Sequence, residues 1–187
     1  MYLTLFADDK EYLDAQKKTS RRRSGNPCHI ENEFVRAAEW WRERHADDPH
    51  RIMCHGARSG GETDHWRSLF GDSLVSGTDL HPPEGSGVQI HDFRLVVPQW
   101  INAFDIVYSN SLDHADDPQA CLEVWVDQLR AGKYLMIQWT KCHRTIEGGD
   151  CFGAELHEYV MLVERLCVVK EVLYCGKGVY LIVAAKK

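Results

Sequence analysis

Two rhythms of apolar and polar positions alternate along this chain. Short, mostly apolar runs at 51–55, 73–79, 104–110 and 134–139 each stop at a glycine, an acid or another polar residue. Such bounded runs, too short for buried helices, read as buried strands, and Val88-Gln89-Ile90 adds a brief one. Between them apolar residues recur every three or four positions. Ile30, Phe34, Ala37, Ala38 and Trp41 predict a helix over 30–45, ended by Asp47-Asp48-Pro49, and a second spans 62–70. Asp116-Asp117-Pro118 opens a third, with acids and a proline at its amino end. That helix carries Leu122, Trp125, Val126 and Leu129 and is expected to end at Ala131-Gly132-Lys133. A polar loop at 140–153 leads to a fourth helix, 154–166, with Leu156, Tyr159, Val160 and Val163 on one stripe. Strands at 167–174 and 179–185, joined through Gly176-Lys177-Gly178, read as a closing hairpin.

Strands that alternate with helices predict an α/β fold, a parallel sheet covered on both faces. The hairpin forces the last strand antiparallel to its neighbour. Residues 30–187 form the main domain in this reading. Residues 1–29 are an extension or lid, with a short helix near 11–18 and an Arg-rich Gly-Pro stretch read as a mobile connection. Trp40-Trp41 are either part of that lid or core.

Composition narrows the picture. With 187 residues, 44% hydrophobic, the chain can bury a substantial core. Its net charge of −6, from 22 basic and 28 acidic residues, argues against a general polyanion binder. Seven cysteines, an odd number with no Cys-x-x-Cys pair, fit reduced thiols packed as small hydrophobes. Met1–Ala7 has no basic flank and meets Asp8-Asp9 too soon for a signal peptide, and no apolar stretch reaches membrane-spanning length. The expected address is the cytoplasm.

The chemistry lies where the strands stop, because open α/β sheets bind ligands beyond the carboxyl ends of their strands. Arg51–His55 breaks into Gly56-Ala57-Arg58-Ser59-Gly60-Gly61, Leu74–Thr78 ends in Asp79, and Phe104–Ser109 ends in Asn110-Ser111. Gly56 and Gly60 permit positive φ or close approach of a ligand to backbone. The helix that follows offers free N–H groups to a carboxylate. Asp79, at a strand end, suits two vicinal hydroxyls.

In this order the motifs resemble those of the class I S-adenosylmethionine-dependent methyltransferases, over residues 30–187. Ile52-Met53-Cys54-His55-Gly56-Ala57-Arg58-Ser59-Gly60 is similar to that family's V-L-D-x-G-x-G-x-G, with Cys54 in place of the acid and Arg58 in place of the middle glycine. Ser111-Leu112-Asp113-His114-Ala115-Asp116-Asp117-Pro118 resembles the stretch after the fourth strand, and Leu129–Leu135 the turn before the fifth. The resemblance implies a Rossmann-like three-layer sandwich with a mostly parallel seven-stranded sheet. It places S-adenosyl-L-methionine against His55, Gly56, Ala57, Arg58, Gly60, Asp79, Leu80, Asp92, Phe93, Asn110 and Ser111.

Methyl transfer from a sulfonium is a direct displacement, so the protein chiefly positions the acceptor and excludes water. His114, at the rim after the fourth strand, is the first candidate for a base, with Asp113 to orient it or bind substrate. His143, Asp150 and Glu155 are further candidates for substrate contact. No His-Glu-x-x-His or paired-cysteine spacing points to a metal. Thr140-Lys141-Cys142 stands where catechol-type enzymes carry an Asp-Asn pair, so none is expected. Ser109-Asn110-Ser111-Leu112 lacks the prolines of nucleic-acid amino-methylating enzymes, which favours a small-molecule, sugar or peptide acceptor. Two alternatives stand beside this: an inactive binding or scaffold subunit of the same fold, and an NAD(P)-dependent reductase. The spacing Gly56…Gly60-Gly61 departs from the dinucleotide fingerprint and weighs against the reductase.

Overall fold

A computed structural model describes residues 1–22, 31–71, 73–145 and 150–187, with side chains from Ser20 to Arg22 left aside. The expected connection after 22 and residues 146–149 of the loop at 140–153 lie outside the described residues. In chain order the elements are β1 (Tyr2–Leu3), α1 (Asp9–Arg22), α2 (Glu31–Arg42), β2 (Arg51–His55), α3 (Gly61–Leu69), β3 (Leu74–Asp79) and β4 (Gln89–Ile90). They continue with β5 (Phe104–Ser109), α4 (Pro118–Gln128), β6 (Leu129–Thr140), β7 (Phe152–Gly153), α5 (Leu156–Leu166), β8 (Cys167–Gly176) and β9 (Val179–Lys186).

Seven strands form one sheet in the order β4-β3-β2-β5-β6-β9-β8. Pairings from β4 through β6 are parallel, while β9 runs antiparallel to both β6 and β8. Side chains alternate faces along each strand. Met53, Val107, Leu135, Ile137, Ile182 and Ala184 pack under α4 and α5; Ile52, Cys54, Ile106, Tyr108, Met136, Leu181 and Val183 pack under α2 and α3. Two cores on opposite faces of one sheet make the three-layer sandwich.

Trp40 and Trp41 are buried in the α2 core and take no part in a lid. Trp40 donates to Glu171 Oε2 and Trp41 to the Asp47 carbonyl. The helix expected to reach Lys133 ends at Gln128, and β6 begins directly at Leu129. Leu129 pairs with Phe104 and Tyr134 with Ile106, so residues 130–133 bulge opposite Asp105. Asp105, 3% exposed, holds that bulge: it accepts from Arg130 at 3.2 Å, lies 3.8 Å from Lys133, and receives the backbone N–H groups of His50 and Arg51. Among the described residues no helix is long and apolar enough to cross a membrane.

The amino-terminal segment is tied to the domain at both ends of its reach. β1 pairs antiparallel with β7, in the segment that follows β6, and α1 runs four residues beyond the expected 11–18 at its carboxyl end. Tyr12, Gln16 and Thr19 sit one above another on its inner face and are buried.

Candidate functional site

The strand order reverses direction between β2 and β5, and the crevice beyond their carboxyl ends is where open α/β sheets admit ligands. An open cleft lies there, with about 490 Å³ of empty space including the solvent at its mouth. Gly56, Arg58, Asp79, Leu80, His81, Phe93 and Ser111 form its sheet side; Tyr12, Gln16, Thr19 and His114 form the wall facing them.

The turn after β2 is built by positive-φ backbone. Gly56 (φ 74°), Arg58 (φ 38°) and Gly60 (φ 91°) all occupy that region. A Cβ on Gly56 would meet Ser111 Cβ at 2.5 Å, so the two strand ends touch through the space a side chain would fill. The turn is held by Ala57 N–H to the Thr78 carbonyl and by Gly60 N–H to the Ala57 carbonyl. Asp79 clamps it as well: one carboxylate oxygen accepts from Arg58 N–H at 3.1 Å and the other from His81 N–H at 2.8 Å. Each oxygen has capacity for a further donor.

The other expected contacts divide. Leu80, Phe93 and Ser111 face the cleft. Asn110 is buried; its amide donates to Glu62 Oε1 and its carbonyl oxygen accepts from Ser111 Oγ. His55 turns into the core, stacked on Trp125, with Nε2 on Gln128 Oε1 and Nδ1 on Thr78 Oγ1. Burial lowers its pKa to about 4, so the imidazole is neutral. Cys54, at the position of the family acid, is wholly enclosed on the α2 side, and burial holds its thiol protonated. Asp92 lies behind Phe93, gripped by the Arg94 guanidinium at 2.7–3.1 Å. Arg94 also binds Asp116 at 2.9 Å and lies 3.6 Å from the centre of the Tyr12 ring, which docks α1 onto the domain.

A short helical turn, Leu112–His114, follows β5 and presents Asp113 and His114. His114 Nδ1 lies 2.8 Å from Gln16 Oε1, and the His114 carbonyl accepts from Tyr12 Oη. His114 Nε2 faces Asp150 Oδ1 at 3.8 Å, and His143 Nε2 faces Asp113 Oδ2 at 3.8 Å. Asp113, His114, His143 and Asp150 are thus brought together, while Glu155 stands apart, capping α5 and pairing with Arg144. Sequence reasoning missed Tyr12, Gln16, Thr19 and Arg94. Only the i, i+4, i+7 spacing of the first three hinted that they share one face.

No family profile matches the chain, and no curated protein sequence matches it. Solved structures do. The N-methyltransferase NodS of Bradyrhizobium japonicum WM9, in complex with S-adenosyl-L-homocysteine, is similar at 14% identity, 94% of this chain, 97% of that one and a TM-score of 0.68. The Burkholderia thailandensis 1,6-didemethyltoxoflavin-N1-methyltransferase, with 1,6-didemethyltoxoflavin and S-adenosylhomocysteine bound, is similar at 15% identity, with coverages of 98% and 92% and a TM-score of 0.73. The [4+2]-cyclase SpnF is similar too, at 11% identity, 99% and 98% coverage and a TM-score of 0.70, so the chemistry is not set by the fold. In its sheet order, its glycine turn and the likeness of those structures, this chain has the fold of the class I S-adenosylmethionine-dependent methyltransferases.

Proposed function

We propose that the chain transfers a methyl group from S-adenosyl-L-methionine to a small-molecule acceptor held in the cleft beneath α1. One observation carries the reading: the positive-φ glycine turn, the Asp79 carboxylate and the Phe93 ring line a single cleft together with His114. Gly56 lacks a side chain, so the Ser111 strand end packs directly against the turn and both line the cleft. Asp79 takes the ribose hydroxyls, Leu80 and Phe93 flank the adenine, and Arg58 with the amino end of α3 faces the carboxylate. Bound there, the cofactor supplies an electrophilic methyl on a sulfonium.

What the chain itself contributes is position. His114 and the Tyr12, Gln16, Thr19 face of α1 hold the acceptor against the far wall, and the docked helix keeps bulk water out. Two of the similar structures carry the demethylated cofactor product, one of them with 1,6-didemethyltoxoflavin bound as well. Titration calorimetry with S-adenosylhomocysteine tests the cofactor half, with expected binding in the micromolar range. Product formation across a library of small nucleophiles tests the transfer. Absence of heat with either form of the cofactor overturns the reading; binding without turnover on any acceptor favours a binding subunit over an enzyme.

A further inference from the structure

Beside the cleft lies a cluster of which the methyl-transfer reading uses His114 alone. We propose that Asp113, His114 and Asp150 bind a divalent transition-metal cation, of the zinc or manganese class, through one carboxylate oxygen of each acid and His114 Nε2. The inference stands independently of cofactor binding.

Each of these residues offers an atom within 4.8 Å of the other two. The short turn after β5 supplies Asp113 and His114, and the segment before β7 supplies Asp150. Metal–nitrogen and metal–oxygen bonds of about 2.0–2.2 Å put ligand atoms roughly 3–4.4 Å apart, so the cluster needs only a small contraction. At 3.8 Å, His114 Nε2 and Asp150 Oδ1 are too far apart for a hydrogen bond and close enough to share an ion.

The protons point the same way. Gln16 donates its amide to Cys151 Sγ at 3.0 Å, which turns its oxygen toward His114 Nδ1. Nδ1 therefore donates to Gln16, and Nε2 is the nitrogen that faces Asp150. A ligating histidine whose second nitrogen donates to an amide oxygen is the usual outer arrangement of a metal site. Asp113 is 4% exposed, and its Oδ1 has no hydrogen-bond partner among the described residues. A buried carboxylate oxygen left so is costly unless a cation meets it. The Tyr159 hydroxyl is buried without a hydrogen-bond partner among the described residues as well.

His143 accepts the Thr140 N–H at Nδ1, so its Nε2 carries the proton and faces Asp113 Oδ2 at 3.8 Å as a donor, outside the proposed ligand set. Mixed imidazole and carboxylate donors suit zinc or manganese better than calcium or magnesium. A nitrogen bound to metal accepts no proton, so an occupied site makes His114 a ligand and excludes it as the general base.

The test uses the full, untagged chain stripped with a chelator, then titrated with zinc chloride and, separately, cobalt chloride. One equivalent should bind with a Kd below about 10 μM, raise the melting temperature and give the visible bands of a low-symmetry cobalt site. Asp150→Asn and Asp113→Asn should each weaken binding by at least 100-fold while circular dichroism stays native. His114→Gln should remove the cobalt bands. Two results overturn the proposal: no saturable binding of zinc, cobalt or manganese by the stripped chain, or affinities in the two Asn variants equal to the parent's. Titration with S-adenosylhomocysteine in parallel reads the cofactor site separately.

Discussion

Replacing Gly56 by alanine isolates the close approach of two strand ends on which the cleft depends. Gly56 has φ 74°, a conformation that costs a residue with a Cβ about 1–2 kcal/mol. The added carbon would stand 2.5 Å from Ser111 Cβ and closer still to its Oγ. Ser111 Cβ is one bond from the main chain, so rotation relieves only part of the overlap, and overpacking of this kind costs about 1–3 kcal/mol. Gly56→Ala should therefore destabilise the chain by about 2–5 kcal/mol in urea titration, the sum of the two terms. Ser111→Gly in the same chain removes both clashing atoms and leaves Ser111 Cα at 4.0 Å. The double variant should recover the overlap share and retain the backbone share, a coupling of at least about 1 kcal/mol. A Gly56→Ala chain within about 0.5 kcal/mol of the parent, or a second substitution that recovers nothing, would refute the argument.

Three further outcomes follow from the same geometry. Asp79→Ala should weaken S-adenosylhomocysteine binding roughly 100-fold by calorimetry, since ribose contacts and the Arg58 anchor both go; unchanged affinity would place the ribose elsewhere. His55, neutral in the fold with a pKa of about 4 against an ordinary 6.5, takes up its proton mainly when unfolded between those values. Stability should hold above pH 6.5 and fall by about 3 kcal/mol as pH drops toward 4, and His55→Gln should flatten that share of the profile; identical slopes in urea melts would count against it. Arg94→Met strips Asp92 and Asp116 of their cation and Tyr12 of its guanidinium, and should cost about 2–4 kcal/mol with faster proteolysis within α1; a protease-resistant α1 would show that it docks by other means.

The central strands were legible because buried parallel strands are near-continuous apolar runs, and β2, β3 and β5 each stop where the run stops. The glycine turn and Asp79 were legible because backbone conformation and a terminal acid leave marks in sequence. The start of β6 was not: Gly132 and Lys133 read as a helix stop, but pairing of Leu129 with Phe104 across the Asp105 bulge decides the boundary. The α1 wall was hidden for a different reason. Its cleft-facing residues include Gln16 and Thr19, polar side chains with no hydrophobic rhythm to distinguish them from a solvated face. Asp113, His114 and Asp150 converge through two loops, a meeting that no local spacing announces.

The pairing of Tyr2 with Gly153 and Leu3 with Phe152 has a consequence for assembly. The partners lie about 150 residues apart in sequence, so bringing them together closes a long loop, a late and entropically slow event. The cradle formed by β2, β3 and the bend between them needs only near neighbours in sequence. A folding chain should thus acquire its nucleoside seat first and its roof last, with the floor of the cleft open to solvent until the two ends meet.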